Sequence, residues 1–228
     1  MAGRAGTRRK VLPMMAAKEN LAIQAEPRAG SPAKREQIMR AASALFLDHG
    51  FAGASMDAVA REAGVSKATV YAHFASKEDL FEAMVARGSA ERFSRLLDAD
   101  LDTLDVEEAL RRVAHDFMGV LSAPESMKTM RVVMGEAVRL PELAARFYRA
   151  GPGRVLAALT DYLARATARG ALALDDPRLA AEMFFGMIRG DFHMRRLLGL
   201  ADHPDMADLA RLADAAVALF LKAYRPRV

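Results

Sequence analysis

"ASMDAVAREAGVSKATVYAHFASKEDLF", Ala54–Phe81, decides the fold, because three helix starts, at Ser55, Ser66 and Ser76, crowd into it. Serine is a preferred N-cap, its hydroxyl accepting from a backbone N–H of the first turn. Asp57 sits in the first turn after Ser55, where the helix dipole favours an anion. Met56, Val59, Ala60 and Ala63 fall on one inner stripe. Gly64 suits the left-handed conformation that ends that helix, Val65 plugs inward, and Ser66 caps the next. Two short helices across a glycine-containing turn form the helix-turn-helix pattern. The stub between Ser66 and Ser76 is a rod of roughly 12 Å, shorter than the ~12–15 residues an isolated helix needs in water, so neighbours must hold it. Val70 and Phe74, one turn apart, are its anchors. The other face presents Lys67, Ala68, Thr69, Tyr71 and His73: donors, a methyl and a phenol, with no acid among them. Such a face fits phosphates and base edges in a major groove. Ser76 and Asp79 then read as a capping box opening a long helix through Leu80, Phe81, Met84 and Val85 to about Leu97.

Working outward, Ile38, Ala42, Leu45, Phe46 and His49 share one face of a preceding helix that Gly50 ends. Residues 1–32 mix Gly, Ala, Pro and Arg without a sustained period and read as a basic, disordered arm. The charge is located there: residues 1–80 carry 12 Lys/Arg against 8 Asp/Glu, and residues 81–228 carry 21 of each. A basic end on a charge-balanced body points to a polyanion partner. Beyond Leu101 the period is helical throughout, and Pro124, Pro141, Pro152 and Pro177 each suit the first turn of a helix. The expected fold is all-α, with about ten helices: a helix-turn-helix head over 33–80 and a helical ligand-binding and dimerisation body over 81–228. The chain has 228 residues, 52% of them hydrophobic, which is enough for a substantial core. It has no cysteine, which excludes disulfides and thiolate metal sites and agrees with a cytoplasmic location. No apolar run approaches the roughly 18 residues of a membrane span. The twin-arginine stretch "TRRKVLPMMAAKEN" has too short an apolar segment for an export signal.

The stretch Gly50–Phe81, and about 47 residues from Lys34 to Leu80 in all, resembles the DNA-binding domain of the TetR (tetracycline repressor) family of bacterial transcription regulators. "MRVVMGEAVRLPELAARFYRAGP", Met130–Pro152, is more faintly similar to the body of an AefR-like subgroup. The resemblance implies a homodimeric regulator of double-stranded DNA with an inducer site in each subunit. It places Ser55 at the phosphate-facing start of the second helix, Lys67, Ala68, Thr69, Tyr71 and His73 on the recognition helix, and Lys77 on the DNA backbone. The reading face lacks Arg, Asn and Gln, the best bidentate readers of guanine and adenine. Specificity is therefore expected to draw on half-site spacing and DNA deformability, with the arm reaching a minor groove.

In the body, adaptable Met and Phe side chains fit ordinary core and also an apolar pocket between helices. The candidate lining is Phe117, Leu121, Met127, Met130, Met134, Phe147, Met183, Phe184 and Met187, with His115, Asp116, Arg131 and His193 as polar candidates. An unidentified apolar small molecule is the expected effector. No cofactor, metal or catalytic residue is expected: the five histidines are scattered, none in a His-x-x-x-His pair, and no glycine-rich phosphate loop occurs. Family resemblance puts a dimer-forming four-helix bundle at Pro152–Arg169 and Pro177–Leu200, with Val155, Leu159, Tyr162, Met187, Met194 and Leu198 as its apolar stripes. A dimer would set two recognition helices about 34–36 Å apart on a palindromic operator, and a ligand would spoil that spacing by swinging the fourth helix. An effector-independent regulator, an activator, and a helical enzyme or lipid-binding protein with a similar head are the alternatives.

Overall fold

The computed structural model describes residues 31–92, 100–200 and 205–226. Among them are ten α-helices and one 3-10 turn, and no strand. The arm before Ser31 and the expected end of the fourth helix near Leu97 lie outside the described residues. The first four helices are α1 (Pro32–Gly53), α2 (Met56–Glu62), α3 (Lys67–His73) and α4 (Lys77–Arg92). A 3-10 turn at Asp100–Thr103 leads to α5 (Val106–Ser122), α6 (Pro124–Glu136), α7 (Pro141–Ala150), α8 (Pro152–Ala168), α9 (Pro177–Leu197) and α10 (Met206–Tyr224). Proline stands at the start of α1, α6, α7, α8 and α9, where its missing N–H costs nothing.

Gly50 breaks α1 with φ 72°, a conformation a side chain resists, so the chain turns there and brings Phe51 back beneath Phe46. Phe46, Phe51 and Phe81 form a triad of rings with centroids 5.4–5.6 Å apart. Ile38, Ala42, Val59, Val70 and Leu80 complete this core without solvent contact or nearly so. His49, expected on the same face, is exposed. The cluster does not stop at residue 80: it takes in Phe81 and Val85 from α4, Val133 from α6, and Leu143 and Ala150 from α7 and its end. The helical head and body thus share one packed seam, α6 lying on α1 and α7 on α4.

A second core is built by α5 against α10 and by α9 against α5, α8 and α10. It buries Val155, Leu159 and Tyr162, three of the expected dimer residues. They face inward because α8 needs that stripe to close the body, and they are unavailable to a partner. Phe184, expected in a ligand pocket, is core as well, with its ring 5.1 Å from Phe220 and 6.1 Å from Phe185. The helix expected at Pro177–Leu200 is present as α9 and carries a break at Gly190, with φ 48° and ψ −161°.

Candidate nucleic-acid interface and adjoining cavity

The turn between α2 and α3 is built by local bonds. Ser55 Oγ accepts from Ala58 N at 3.1 Å, and Ser66 Oγ from Thr69 N at 3.0 Å, capping the two helices. Gly64 carries φ 60°, and Val65 N returns to Ala60 O at 3.0 Å, which closes α2 as its sequence requires. Gln37 Nε2 donates to Ala63 O at 2.6 Å and ties α1 to the end of α2. Val70 and Phe74 are buried behind α3, while Lys67, Ala68 and Tyr71 are exposed and Thr69 and His73 half-buried. The expected reading residues are therefore brought together on one outward face, and Ala72 joins them. The Thr69 hydroxyl is shared with Ser66 Oγ at 2.8 Å.

Two details depart from the sequence reading. The recognition-helix face has an acid beside it from the preceding helix: Asp57 of α2 pairs with Lys67 Nζ at 2.8 Å and raises the ammonium pKa above its ordinary value, chiefly through that hydrogen bond. Lys77 was expected on the DNA backbone, yet its ammonium turns into the head. It donates to Phe51 O at 2.7 Å and Ala54 O at 3.0 Å and lies 4.3 Å from the centroid of the Phe51 ring. Both carbonyls lie past the Gly50 break at the C-terminal end of α1, where no further helical turn follows to bond them, so the nearest flexible cation satisfies them.

The start of α4 is coupled to the body. Asp79 N donates to Ser76 Oγ at 3.0 Å, as a capping box requires, and Arg146 of α7 bonds the Asp79 carboxylate and reaches Glu82 Oε2 at 3.3 Å. That arginine, more than the Ser76 bonds that add to it, holds the Asp79 carboxyl below its ordinary range. At the other end of α7, a Cβ on Gly151 would stand 3.1 Å from Ser89 Oγ and 3.3 Å from Val85 Cγ1, so the corner into α8 lies flush on α4.

Behind the head is a cavity of about 600 Å³. Phe117 and Leu121 of α5, Met127 and Met130 of α6 and Phe147 of α7 line it, as expected. Met134 and Met183 are exposed instead, because each faces outward from its helix, and Met187 packs half-buried against the body core. Among the polar candidates, His193 lines the cavity. His115 faces Asp214 at 3.2 Å, and Arg131 donates to the carbonyls of Arg196 and Leu197. The sequence reading missed the head's share of the wall: Met39, Arg40 and Ser43 of α1, and Met84, Val85, Arg87, Gly88, Ser89 and Glu91 of α4. Gly88-Ser89, two small residues mid-helix, were the available signal that α4 leaves room there.

Comparison with known proteins matches this geometry to one family. Residues 38–84 match the family model for bacterial regulatory proteins of the tetR family, and residues 108–226, more than half of the chain, match the C-terminal domain of AefR-like transcriptional repressors. The chain belongs to the TetR family of transcriptional regulators. It is a DNA-binding regulator by that membership, and α2–α3 is its helix-turn-helix. A TetR-family regulator structure from Mesorhizobium loti MAFF303099 is 32% identical, with TM-score 0.76 over 88% of this chain and 100% of that one. The structure of the flavonoid-responsive regulator FrrA is 35% identical, with TM-score 0.70 over 87% and 100%. The transcriptional activator FasR of Mycolicibacterium smegmatis is 33% identical over 113 residues, 50% of this chain and 51% of that protein. The regulator UidR of Escherichia coli K12 is 27% identical over 130 residues, 56% of this chain and 60% of that protein. The matched stretch thus spans about half to three-fifths of these two curated relatives. Among the described residues no helix is long and apolar enough to cross a membrane, and no cluster of His, Asp and Glu could hold a metal ion.

Proposed function

We propose that this TetR-family regulator is a homodimeric repressor that binds a palindromic operator and is released by a small molecule seated in the cavity. The observation that carries the proposal is the composition of the cavity wall: α1 and α4 of the head and α5–α9 of the body enclose one space. A molecule filling it touches both halves, so its differential affinity for two settings of α4 becomes a difference in head position. Arg146 gives the coupling a rigid link, since it holds the start of α4 to the helix that also carries Phe147 and Tyr148 into the cavity. The relative described as flavonoid-responsive supports a small-molecule effector. On the DNA, Lys67, Tyr71 and His73 would hold phosphates or a guanine, with Ala68 and the Thr69 methyl against thymine, and Ser55 at the backbone. Lys67 exchanges Asp57 for the DNA as it binds.

The dimer surface we propose is the outer face of α9 and α10 rather than of α8 and α9. Leu179 and Met183 are 52% and 50% exposed at one end of α9, Met194 and Leu198 56% and 65% at and just beyond the other, and Leu219 on α10 is 60% exposed. These large apolar side chains are left outside by the same packing that buries Val155, Leu159 and Tyr162.

The test is selection of the preferred operator from random DNA, followed by a compound screen read by fluorescence anisotropy of the labelled operator. Two-fold symmetry in the selected DNA and release by a compound that binds one per chain are the expected results. Arg146→Met should keep compound binding while blunting release. Asymmetric selected sites, or release without compound bound to the protein, would refute the scheme. The relationship to FasR, an activator, supports the opposite sign of regulation, which a reporter gene behind the selected operator decides.

A further inference from the structure

The cavity is apolar along most of its wall but not at its α9 end. Arg189 and His193 flank the break at Gly190, and both line the cavity. The Arg189 guanidinium carbon lies 5.8 Å from the centroid of the Phe117 ring, and no carboxylate among the described residues pairs with it. His193 Nδ1 is buried and has no hydrogen-bond partner. The other cations near the space are already engaged. Arg40 and Arg87 pair with Glu36, Arg87 also holds Glu91 at 2.8 Å, and Arg196 donates to Leu121 O at 3.0 Å. The one wall acid without a cationic partner among the described residues, Glu125, is exposed in the first turn of α6, where the helix dipole holds it.

Arg189 lines the cavity yet is solvent-exposed as a residue, so a wholly apolar occupant would desolvate only the part of its guanidinium that faces the cavity, and it would leave His193 Nδ1 unsatisfied; both changes are unfavourable. A group that accepts two hydrogen bonds and carries negative charge reverses both. Resting on the reading of this cavity as the effector site, we infer that its ligand is an amphipathic anion: an apolar aromatic or aliphatic body with one carboxylate, sulfonate or phenolate, the anionic end held by Arg189 and His193. The apolar body then lies toward Met127, Met130 and Phe147. Burial first, then the neighbouring Arg189 and Arg196 charges, lower the His193 pKa. In the proposed complex the ring is neutral and carries its hydrogen on Nδ1, the tautomer that donates to an anion.

Two dyes that differ by a single group test this: anilinonaphthalene sulfonate, and the uncharged phenylnaphthylamine that lacks only the sulfonate. Each is titrated by fluorescence against the full chain without DNA. The anion should bind at least about tenfold more tightly, the ratio expected for a charged hydrogen-bonded head group. Arg189→Met should remove most of that ratio while phenylnaphthylamine affinity stays within about twofold, which shows the cavity still formed. His193→Leu should act in the same direction, and Arg195→Met, at an arginine of the same helix that does not line the cavity, should leave both dyes unchanged. Equal affinities in the natural chain, or an Arg189→Met ratio like the natural one, would overturn the anion assignment and leave the cavity as the effector site. Binding of neither dye would overturn both, whereas operator binding, measured separately, reports on the DNA-binding head alone.

Discussion

Replacing Lys77 with Met separates two uses of the same side chain, clamp and DNA contact. Methionine keeps the unbranched stem and removes the ammonium, so Phe51 O and Ala54 O lose their donor and the Phe51 ring its cation. A hydrogen bond from a charged donor contributes about 1.5–3 kcal/mol and a cation–π contact about 0.5–1 kcal/mol. The low ends of these ranges for two bonds and one ring contact bound the loss at about 3.5 kcal/mol, and because Lys77 is half-buried and water competes for its ammonium, the expected loss is about 2–3 kcal/mol. For a chain of this size each kcal/mol lowers Tm by about 2–4 °C, so the expected drop is about 4–12 °C by circular dichroism. DNA affinity should fall because the junction of α3 and α4 loosens, but the dependence of log K on log salt should keep its slope. A phosphate contact behaves in the opposite way, losing about one unit of slope per head with little change in Tm. An unchanged Tm together with a reduced salt slope would refute the clamp and restore Lys77 to the DNA.

Phe74→Ala removes the buried anchor of α3 and should cost about 3–5 kcal/mol with loss of operator binding, whereas Tyr71→Ala on the outer face should weaken binding and leave the thermal transition nearly in place. Sedimentation should find monomers when Leu179 and Met183 are both changed to Glu, with near-native helicity; a dimer that survives the pair would exclude this face of α9. For His193, burial and the nearby arginines depress the folded-state pKa below the ordinary 6.5. As pH falls from there, the unfolded chain takes up a proton that the folded chain refuses, so stability declines until the folded pKa is passed. Denaturant midpoints measured from neutral to acid pH should show that decline, and His193→Gln should reduce it.

The head was legible because its signals are local. Serine caps, Gly64 and the Val70–Phe74 spacing are statements about neighbouring residues, and each reappears as a bond, a dihedral or a buried side chain. The helix starts of the body were equally plain from their prolines. What did not show was partnership across the chain. Periodicity identifies an apolar stripe but not which of two neighbours will cover it, so Val155, Leu159 and Tyr162 looked as suitable for a partner subunit as for α9. Lys77 was placed on the DNA backbone by family resemblance, and only the chain just after the Gly50 turn, far off in sequence, supplies the carbonyls that draw it in. The cavity showed only part of its body-side lining for the same reason: methionines and phenylalanines announce adaptable surface, whereas Arg40, Ser43 and Ser89 belong to a wall only after α1 and α4 are folded over the body.

Val133, Leu143 and Ala150 lie in the head's own core, and this bears on how such a regulator can be rebuilt. A graft that joins this reader to another sensor at residue 80 would cut through Phe81 and Val85 and leave an unfilled seam under α1 and α4. A working exchange has to carry α6 and α7 along with the reader or match their buried side chains. Within the family, substitutions in those two helices should then track changes in α1 and α4 more closely than changes in the rest of the sensor.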